Sequence, residues 1–287
     1  MTTFMRRREF ASLLGAAVVA WPLAARAQQV GQMRRVGVLM NNSPSNQIYQ
    51  SYMATFTRAL QTLGWKDGQN LHLDIRWSDN NTDQMHSLAG ELAKASPDVI
   101  VTASTANLKA LMRTTQTVPI VFIEVSDPVA QGLVTNLAHP GGNITGFAAY
   151  ELSMGGKWLD LLRQMVPNLS RVGVMSNPDT SPQSIMFRRS IEMAASSFDV
   201  TAIGMPVHSD ADIESVIQGF AESNGGLLVP TDSFMASHAK TVVDAAARYR
   251  LPAIYAEEDV FRFGGLIITA SHSTISSNNW RFMSTVF

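Results

Sequence analysis

Short apolar runs alternate with amphipathic segments along most of the chain. The run at 35–40 (RVGVLM) is apolar at nearly every position, which is typical of a strand buried on both faces. After it, apolar residues recur at helical spacing as far as Gly64, which stands where a helix C-cap belongs. Further strands are predicted at 71–77, 98–103 and 119–125, with helices between them. Repeated strand–helix units of this size predict an α/β protein whose parallel sheet is covered by helices on both faces.

The same plan recurs in the second half of the chain. The run RVGVM at 171–175 repeats the first strand, and PIVFIE at 119–124 returns as PAIYAE at 252–257. Each of these prolines is followed, at the same distance, by a glycine. Several matches in the same order and at similar spacing predict two similar, doubly wound parallel-sheet lobes. The alternative is a single sheet whose two halves happen to resemble each other.

The first 27 residues have the pattern of a secretory signal peptide. Three arginines are followed by an apolar stretch that is too short to cross a bilayer, and Ala25-Arg26-Ala27 is a suitable cleavage site. Arg7-Arg8-Glu9-Phe10 resembles the twin-arginine export motif, and an ordinary Sec signal is the alternative. We therefore expect residues 1–27 to be removed and the mature protein to work in the periplasm.

The charge balance and the absence of cysteine narrow the function classes. The whole chain carries 22 Lys and Arg against 23 Asp and Glu, and residues 1–27 contain four of the arginines and one glutamate. The remainder is therefore acidic, which argues against nucleic acid or an anionic membrane as a partner. The chain contains no cysteine, so an exported form has to be stabilised by its core rather than by disulfides.

Polar side chains follow the predicted strands of both halves. Ligands of open parallel sheets bind beyond the carboxyl ends of the strands, so two facing lobes predict a ligand-binding cleft between them. The predicted ligand-binding residues, all just beyond strands, are Ser104, Thr105, Asp127, Asn177, Asp232 and Tyr255.

These six residue types suit the two charged ends of an amino acid. Ser104 and Thr105 open a predicted helix, whose free N–H groups suit a carboxylate. Asp127 or Asp232 suits an ammonium group, while Asn177 and Tyr255 are expected to reach the solute from the second lobe. The alternative for each residue alone is ordinary capping and turn chemistry, because Ser, Thr, Asn and Asp serve that purpose at most strand–helix junctions.

Catalytic and cofactor motifs are missing from the sequence. The first strand is followed by Asn41-Asn42-Ser43-Pro44 instead of a glycine-rich dinucleotide loop, and there is no P-loop, H-E-x-x-H or G-x-S-x-G. The six histidines are scattered without metal-ligand spacing, so we predict no catalytic residue, metal or cofactor. Two alternatives stay open: an exported enzyme with a carboxylate site at Asp127, Asp232 or Glu257, and a sensor module that presents its ligand to a membrane receptor.

Six segments resemble a known protein family. In chain order they read RVGVLM, GWKDGQNLHLDIRW, DVIVTASTA, VPIVFIEVSDPVAQGLVTNLAHPGGNITG, RVGVMSNPD and LPAIYAEEDVFRFGGL. They are similar to periplasmic solute-binding proteins of ABC transporters, in the tryptophan/tyrosine-binding-like family, over nearly all of residues 34–266. The resemblance implies a type I periplasmic-binding-protein fold that closes over a small solute. It also implies a monomer that delivers an amino acid or aromatic compound to an ABC transporter permease in the inner membrane.

The resemblance also implies a division of the chain. We expect lobe 1 at 28–149, lobe 2 at 150–270, and a C-terminal segment at 271–287 that returns toward lobe 1. The helix that follows the first crossover is expected to bury one apolar stripe, formed by Met154, Trp158, Leu161, Leu162 and Met165. Members of the family usually continue from the Gly-Gly-Leu segment into a long returning helix and a further strand, so the C-terminal segment here is expected to be truncated.

Overall fold

The structure is a computed structural model that describes residues 33–221 and 225–265. The predicted signal peptide at 1–27 and the predicted returning segment at 271–287 lie outside the described residues, as do the lobe ends at 28–32 and 266–270. Within the described part of the chain, no helix combines the length and the apolar character that a membrane span requires.

The first lobe is built on a five-stranded sheet in which all neighbouring strands are parallel. Its spatial order is β2-β1-β3-β4-β5. The strands are β1 (Arg34–Met40), β2 (Leu71–Trp77), β3 (Val99–Ala103), β4 (Ile120–Val125) and β5 (Ile144–Ala148). The connecting helices are α1 (Gln47–Thr62), α2 (Thr82–Lys94) and α3 (Thr105–Thr114). Strand β3 is buried at every position, because helices cover both faces of the sheet.

The second lobe repeats this plan with a four-stranded parallel sheet in the order β7-β6-β8-β9. The strands are β6 (Arg171–Ser176), β7 (Thr201–Pro206), β8 (Gly225–Val229) and β9 (Ala253–Tyr255). The helices are α4 (Met154–Met165), α5 (Ser184–Ala195), α6 (Asp210–Ala221), α7 (Ser233–Ser237) and α8 (Ala239–Arg248), with 3-10 turns at Ser196–Phe198 and Glu258–Phe263. The strand order matches the first four strands of lobe 1. The prediction of two similar parallel-sheet lobes is confirmed, and the single-sheet alternative is wrong.

One crossover joins the lobes where the described chain leaves the first sheet. Strand β5 ends at Ala148 and α4 begins at Met154, so the predicted division at 149/150 falls between them. Helix α4 packs on the second sheet, with Trp158, Leu159 and Leu162 buried in one core cluster.

The buried face of α4 is turned around the helix relative to the predicted stripe. Trp158 and Leu162 are buried as expected, but Leu161 and Met165 are 39% and 41% exposed. Leu159, which the prediction left out, is fully buried. The helix is therefore rotated so that Leu159 joins Trp158 and Leu162 on the face that packs against the sheet.

Candidate functional site

The carboxyl ends of the strands in both sheets open onto one cleft between the lobes. Its cavity has a volume of about 560 Å³. Lobe 1 lines it with residues from the loops after β1 and β2 and from the starts of α1 and α2: Ser43, Ser45, Asn46, Asp79, Asn80, Asn81 and Thr82. Lobe 2 lines it with residues after β6 and β7 and from α7: Asn177, Asp179, His208, Phe234, Ser237 and His238. We call this space the outer cavity.

A second, much smaller cavity lies deeper between the same loops. It measures about 10 Å³, and we call it the inner cavity. Its wall shares Asn80, Asn81, Thr82 and Asp179 with the outer cavity, so the two spaces adjoin. The remaining lining residues are Asn41, Ser78, Met85, Ala106, Thr180 and Ser233.

Four buried polar atoms without a hydrogen-bond partner belong to residues that line the inner cavity. Within residues 33–221 and 225–265 they include both polar atoms of the Asn41 amide, Asn80 Oδ1 and Ser233 Oγ. Folded proteins pair nearly all such atoms, since each unpaired one costs about 1–3 kcal/mol. A cavity of about 10 Å³ has room for about one water molecule, so a water or one polar group of a solute can supply the missing partners.

The N-terminal turn of α3 reaches this cluster. Ser104 caps the helix with a φ of 77°, and its Oγ accepts a hydrogen bond from the Asn107 backbone N–H at 3.3 Å. Thr105 is 1% exposed, and its Oγ1 has no partner among the described residues. Ala106, the next residue, lines the inner cavity. The start of α3 thus reaches the inner cavity through Ala106, while Ser104 and Thr105 line neither cavity.

Asp127 uses its carboxylate to tie the loop after β4 to the crossover. Oδ1 accepts a hydrogen bond from the Ala130 N–H at 3.0 Å, and Oδ2 accepts one from the Leu152 N–H at 3.3 Å. The Asp127 backbone N–H in turn donates to the Tyr150 carbonyl at 2.8 Å. Asp127 lines neither the outer nor the inner cavity.

Asp232 supports the loop that carries Asn177. Its Oδ2 accepts a hydrogen bond from the Asn177 backbone N–H at 2.6 Å, and its Oδ1 accepts from Thr180 Oγ1 and from the Phe234 N–H, both at 2.8 Å. Asp232 is 2% exposed, and burial raises its pKa to about 6 despite these hydrogen bonds. Asn177 lines the outer cavity, whereas Asp232 lies behind it and lines neither cavity.

Tyr255 belongs to the core of lobe 2. It ends β9, is 3% exposed, and packs in the cluster that contains Val229 and Phe234. Burial raises the pKa of its hydroxyl to about 12. Among the six predicted residues, Asn177 is the one that lines a cavity, and Ser104 and Thr105 directly precede Ala106 of the inner cavity wall without lining either cavity themselves. Asp127, Asp232 and Tyr255 also line neither cavity.

Several cleft residues were not among the predicted six. Asn80 follows β2, so the same strand-end rule identifies it when it is applied to that strand. Phe234 and His238 lie one helical turn apart, and their rings stack with centroids 3.9 Å apart and an interplanar angle of 26°. His208 Nε2 lies 3.5 Å from Asp179 Oδ2 at the same wall. No sequence signal marks His208, because its position depends on how the loop after β7 folds.

Comparison with known proteins agrees with this architecture. Residues 43–273 match the family described as ABC transporter substrate binding protein. A Clostridioides difficile protein named tyrosine-binding protein is 29% identical over 211 residues, which span 74% of this chain and 60% of the relative. The match therefore covers about three-fifths of the relative's own length.

Two solved structures show the same fold. A conserved domain protein from Vibrio cholerae superposes with a TM-score of 0.77 at 23% identity, and a domain from Streptococcus pneumonia solved in complex with L-Trp superposes with a TM-score of 0.73 at 21% identity. Each comparison covers 89% of this chain and 85% of the other. At these identities the likeness shows the fold alone, which is the type I periplasmic-binding-protein fold. The family match, over most of the chain, shows that the protein belongs to the ABC transporter substrate-binding proteins.

Proposed function

We propose that the chain captures an amino acid between its two lobes as the binding component of an ABC importer. The observation that carries this proposal is the polar cleft lined by both lobes, with unpaired, buried polar atoms at Asn41, Asn80 and Ser233. Because these residues come from both lobes, a solute that hydrogen-bonds to them also bridges the lobes. Such a site binds its solute by closing around it.

An aromatic amino acid fits the outer wall of the cleft. Phe234 and His238, whose rings stack on each other, both line the outer cavity, and aromatic side chains pack well against aromatic rings. The names of the similar proteins support the same class, since one is called a tyrosine-binding protein and another was solved with L-Trp.

The polar ends of an amino acid find complementary groups along the cleft. The N-terminal turn of α3 carries partial positive charge and suits the carboxylate, with Thr105 Oγ1 as an additional donor and Ser104 as the helix cap. Asp179 and Asp79 line the outer cavity and suit the ammonium group. In this proposal Asn177 contacts the solute directly, whereas Asp127, Asp232 and Tyr255 hold the surrounding loops and core in place.

We place this activity in the periplasm, where a monomer delivers the solute to an inner-membrane permease. The signal-peptide pattern of residues 1–27 supports export. The family match supports a role in ABC transport.

The proposal is tested by calorimetry on the chain without residues 1–27, titrated with L-tyrosine, L-tryptophan and D-tryptophan. We expect an L-amino acid to bind, and Asn177→Ala to weaken binding about tenfold because one partner of a buried polar ligand is lost. The matched control is Asn168→Ala, at an exposed asparagine outside the cleft. Absence of binding by both L-amino acids contradicts the solute class. Equal affinities in the Asn177 and Asn168 variants contradict the location of the site.

A further inference from the structure

Three polar side chains join the lobes directly across the cleft. Ser237, the last residue of α7 in lobe 2, has two acceptors for its hydroxyl proton: Asn42 Oδ1 of lobe 1, and the Ser233 carbonyl of its own helix at 3.0 Å. Asn80 Nδ2, also of lobe 1, donates to Ser237 Oγ at 3.2 Å. We call these three residues the interlobe latch.

The lobe 1 half of the latch is held in a fixed position. The Asn80 backbone N–H donates to the Asn41 carbonyl at 2.5 Å, which joins the loop after β2 to the loop after β1. Asp79 and Asn80 have φ angles of 49° and 55°, in the left-handed region that non-glycine residues enter only at an energetic cost. Asn42 is fully buried. The two joined loops thus present the Asn42 and Asn80 amides to the same Ser237 hydroxyl.

We propose that the interlobe latch stabilises the closed arrangement of the lobes and that Ser237 is the positioning residue that controls it. When the lobes separate, water hydrates the Asn42 amide. When they close without the Ser237 hydroxyl, Asn42 Oδ1 is left buried without that partner. Loss of the hydroxyl therefore penalises the closed arrangement specifically, by roughly tenfold in the closed-to-open ratio. This inference goes beyond the proposed function, because it concerns lobe closure and holds whichever solute is bound.

The distance between the lobes can be measured cleanly because the chain contains no cysteine. Spin labels at Lys94→Cys in lobe 1 and Arg189→Cys in lobe 2, both exposed positions, report that distance by pulsed electron paramagnetic resonance. The measurement needs no solute, so it stays readable even if no amino acid binds. We expect Ser237→Ala to move the distance distribution toward the separated lobes.

Two further variants separate a latch from general loosening. Ser196→Ala is the matched control, because the Ser196 hydroxyl donates to the Met193 carbonyl within its own lobe, at 2.7 Å. Asn80→Gly removes the second arm of the latch and keeps a residue that tolerates the positive φ. We expect Asn80→Gly to open the lobes as well, and to add little in the Ser237→Ala background, because both substitutions remove the same contact.

The outcomes decide the proposal. An unchanged distance distribution in Ser237→Ala overturns it. An equal shift in Ser196→Ala also overturns it. Ser196 is not part of the latch, so a shift there would show that losing any hydroxyl loosens the lobes. Fully additive effects of Ser237→Ala and Asn80→Gly contradict a shared contact between the two residues.

Discussion

Asp232→Asn is expected to change how the stability of the protein depends on pH. Burial raises the pKa of Asp232 to about 6, whereas an aspartate in an unfolded chain titrates near about 3.9. Between these values the unfolded chain releases the proton and the folded chain keeps it. The contribution of Asp232 to the free energy of unfolding is therefore greatest below about pH 4 and is lost as the pH rises through about 6.

The size of the effect follows from the separation of the two pKa values. Each pKa unit corresponds to about 1.36 kcal/mol, so a separation of about two units makes the folded state roughly 3 kcal/mol less stable at neutral pH than at pH 4 on account of this group. Asparagine has no proton to lose in this range. The stability of the wild type minus that of Asp232→Asn should consequently fall by about 3 kcal/mol from about pH 4 to about pH 7.

Urea unfolding followed by tryptophan fluorescence measures this difference, and Trp158 is a buried reporter in the same lobe. Asp212→Asn is a suitable control, because hydrogen bonding from the His208 backbone lowers the pKa of Asp212 instead of raising it. The free energy of unfolding of the wild type minus that of Asp212→Asn should not fall as the pH rises. A constant or rising difference for Asp232→Asn would refute the reasoning, since it would mean that the hydrogen bonds to its carboxylate outweigh burial.

Two further substitutions test the framework around the cleft by the same unfolding assay. Gly146→Ala should destabilise lobe 1 severely, because the added Cβ would lie 2.0 Å from the Phe122 carbonyl oxygen. The control Gly219→Ala, whose Cβ meets nothing within 4 Å, should leave stability near or slightly above the wild type. Comparable stability of the two variants would contradict this prediction. Asp127→Ala should lower the free energy of unfolding by about 1–3 kcal/mol, because the Leu152 N–H at the crossover loses its acceptor. A variant as stable as the wild type would show that this hydrogen bond does not stabilise the fold.

The sequence pattern predicts strands well where helices cover both faces of the sheet. Strands β1, β3 and β4 are nearly all buried, so each produces a short apolar run that stands out from its neighbours. Strand β5 gives no such signal, because it is only partly buried and contains Gly146 with a φ of 158°. The formation of an edge strand such as β5 depends on hydrogen bonds to its partner strand β4 more than on its own composition.

The location of the site could be predicted, but the direction of its side chains could not. The strand-end rule identifies loops that line the cavities between the lobes, since parallel strands bring their carboxyl ends to one edge. It does not show whether a carboxylate turns toward the cleft or toward its own lobe. Asp232 turns inward because the backbone N–H groups of Asn177 and Phe234 are placed to receive it. The two N–H donors belong to loops that are far apart in the sequence, so neither loop's sequence alone shows that they meet at Asp232.

The inward position of Asp127 and Asp232 has a consequence for how the cleft works. Closing the lobes over a wall of unpaired carboxylates would remove ionised groups from water, which costs several kcal/mol for each group that is not fully compensated. Amide and hydroxyl groups, such as those of Asn41, Thr105 and Ser233, are cheaper to desolvate and still offer donors and acceptors to a solute. Asp79 and Asp179 line the cleft, but Asp127 and Asp232 lie behind it, so fewer carboxylates have to be desolvated when the lobes close. This keeps closure closer to balance, so that a solute and a latch of two hydrogen bonds are enough to shift it. A binding protein that has to release its solute to a membrane partner requires that balance, because a strongly favoured closed state would retain the solute.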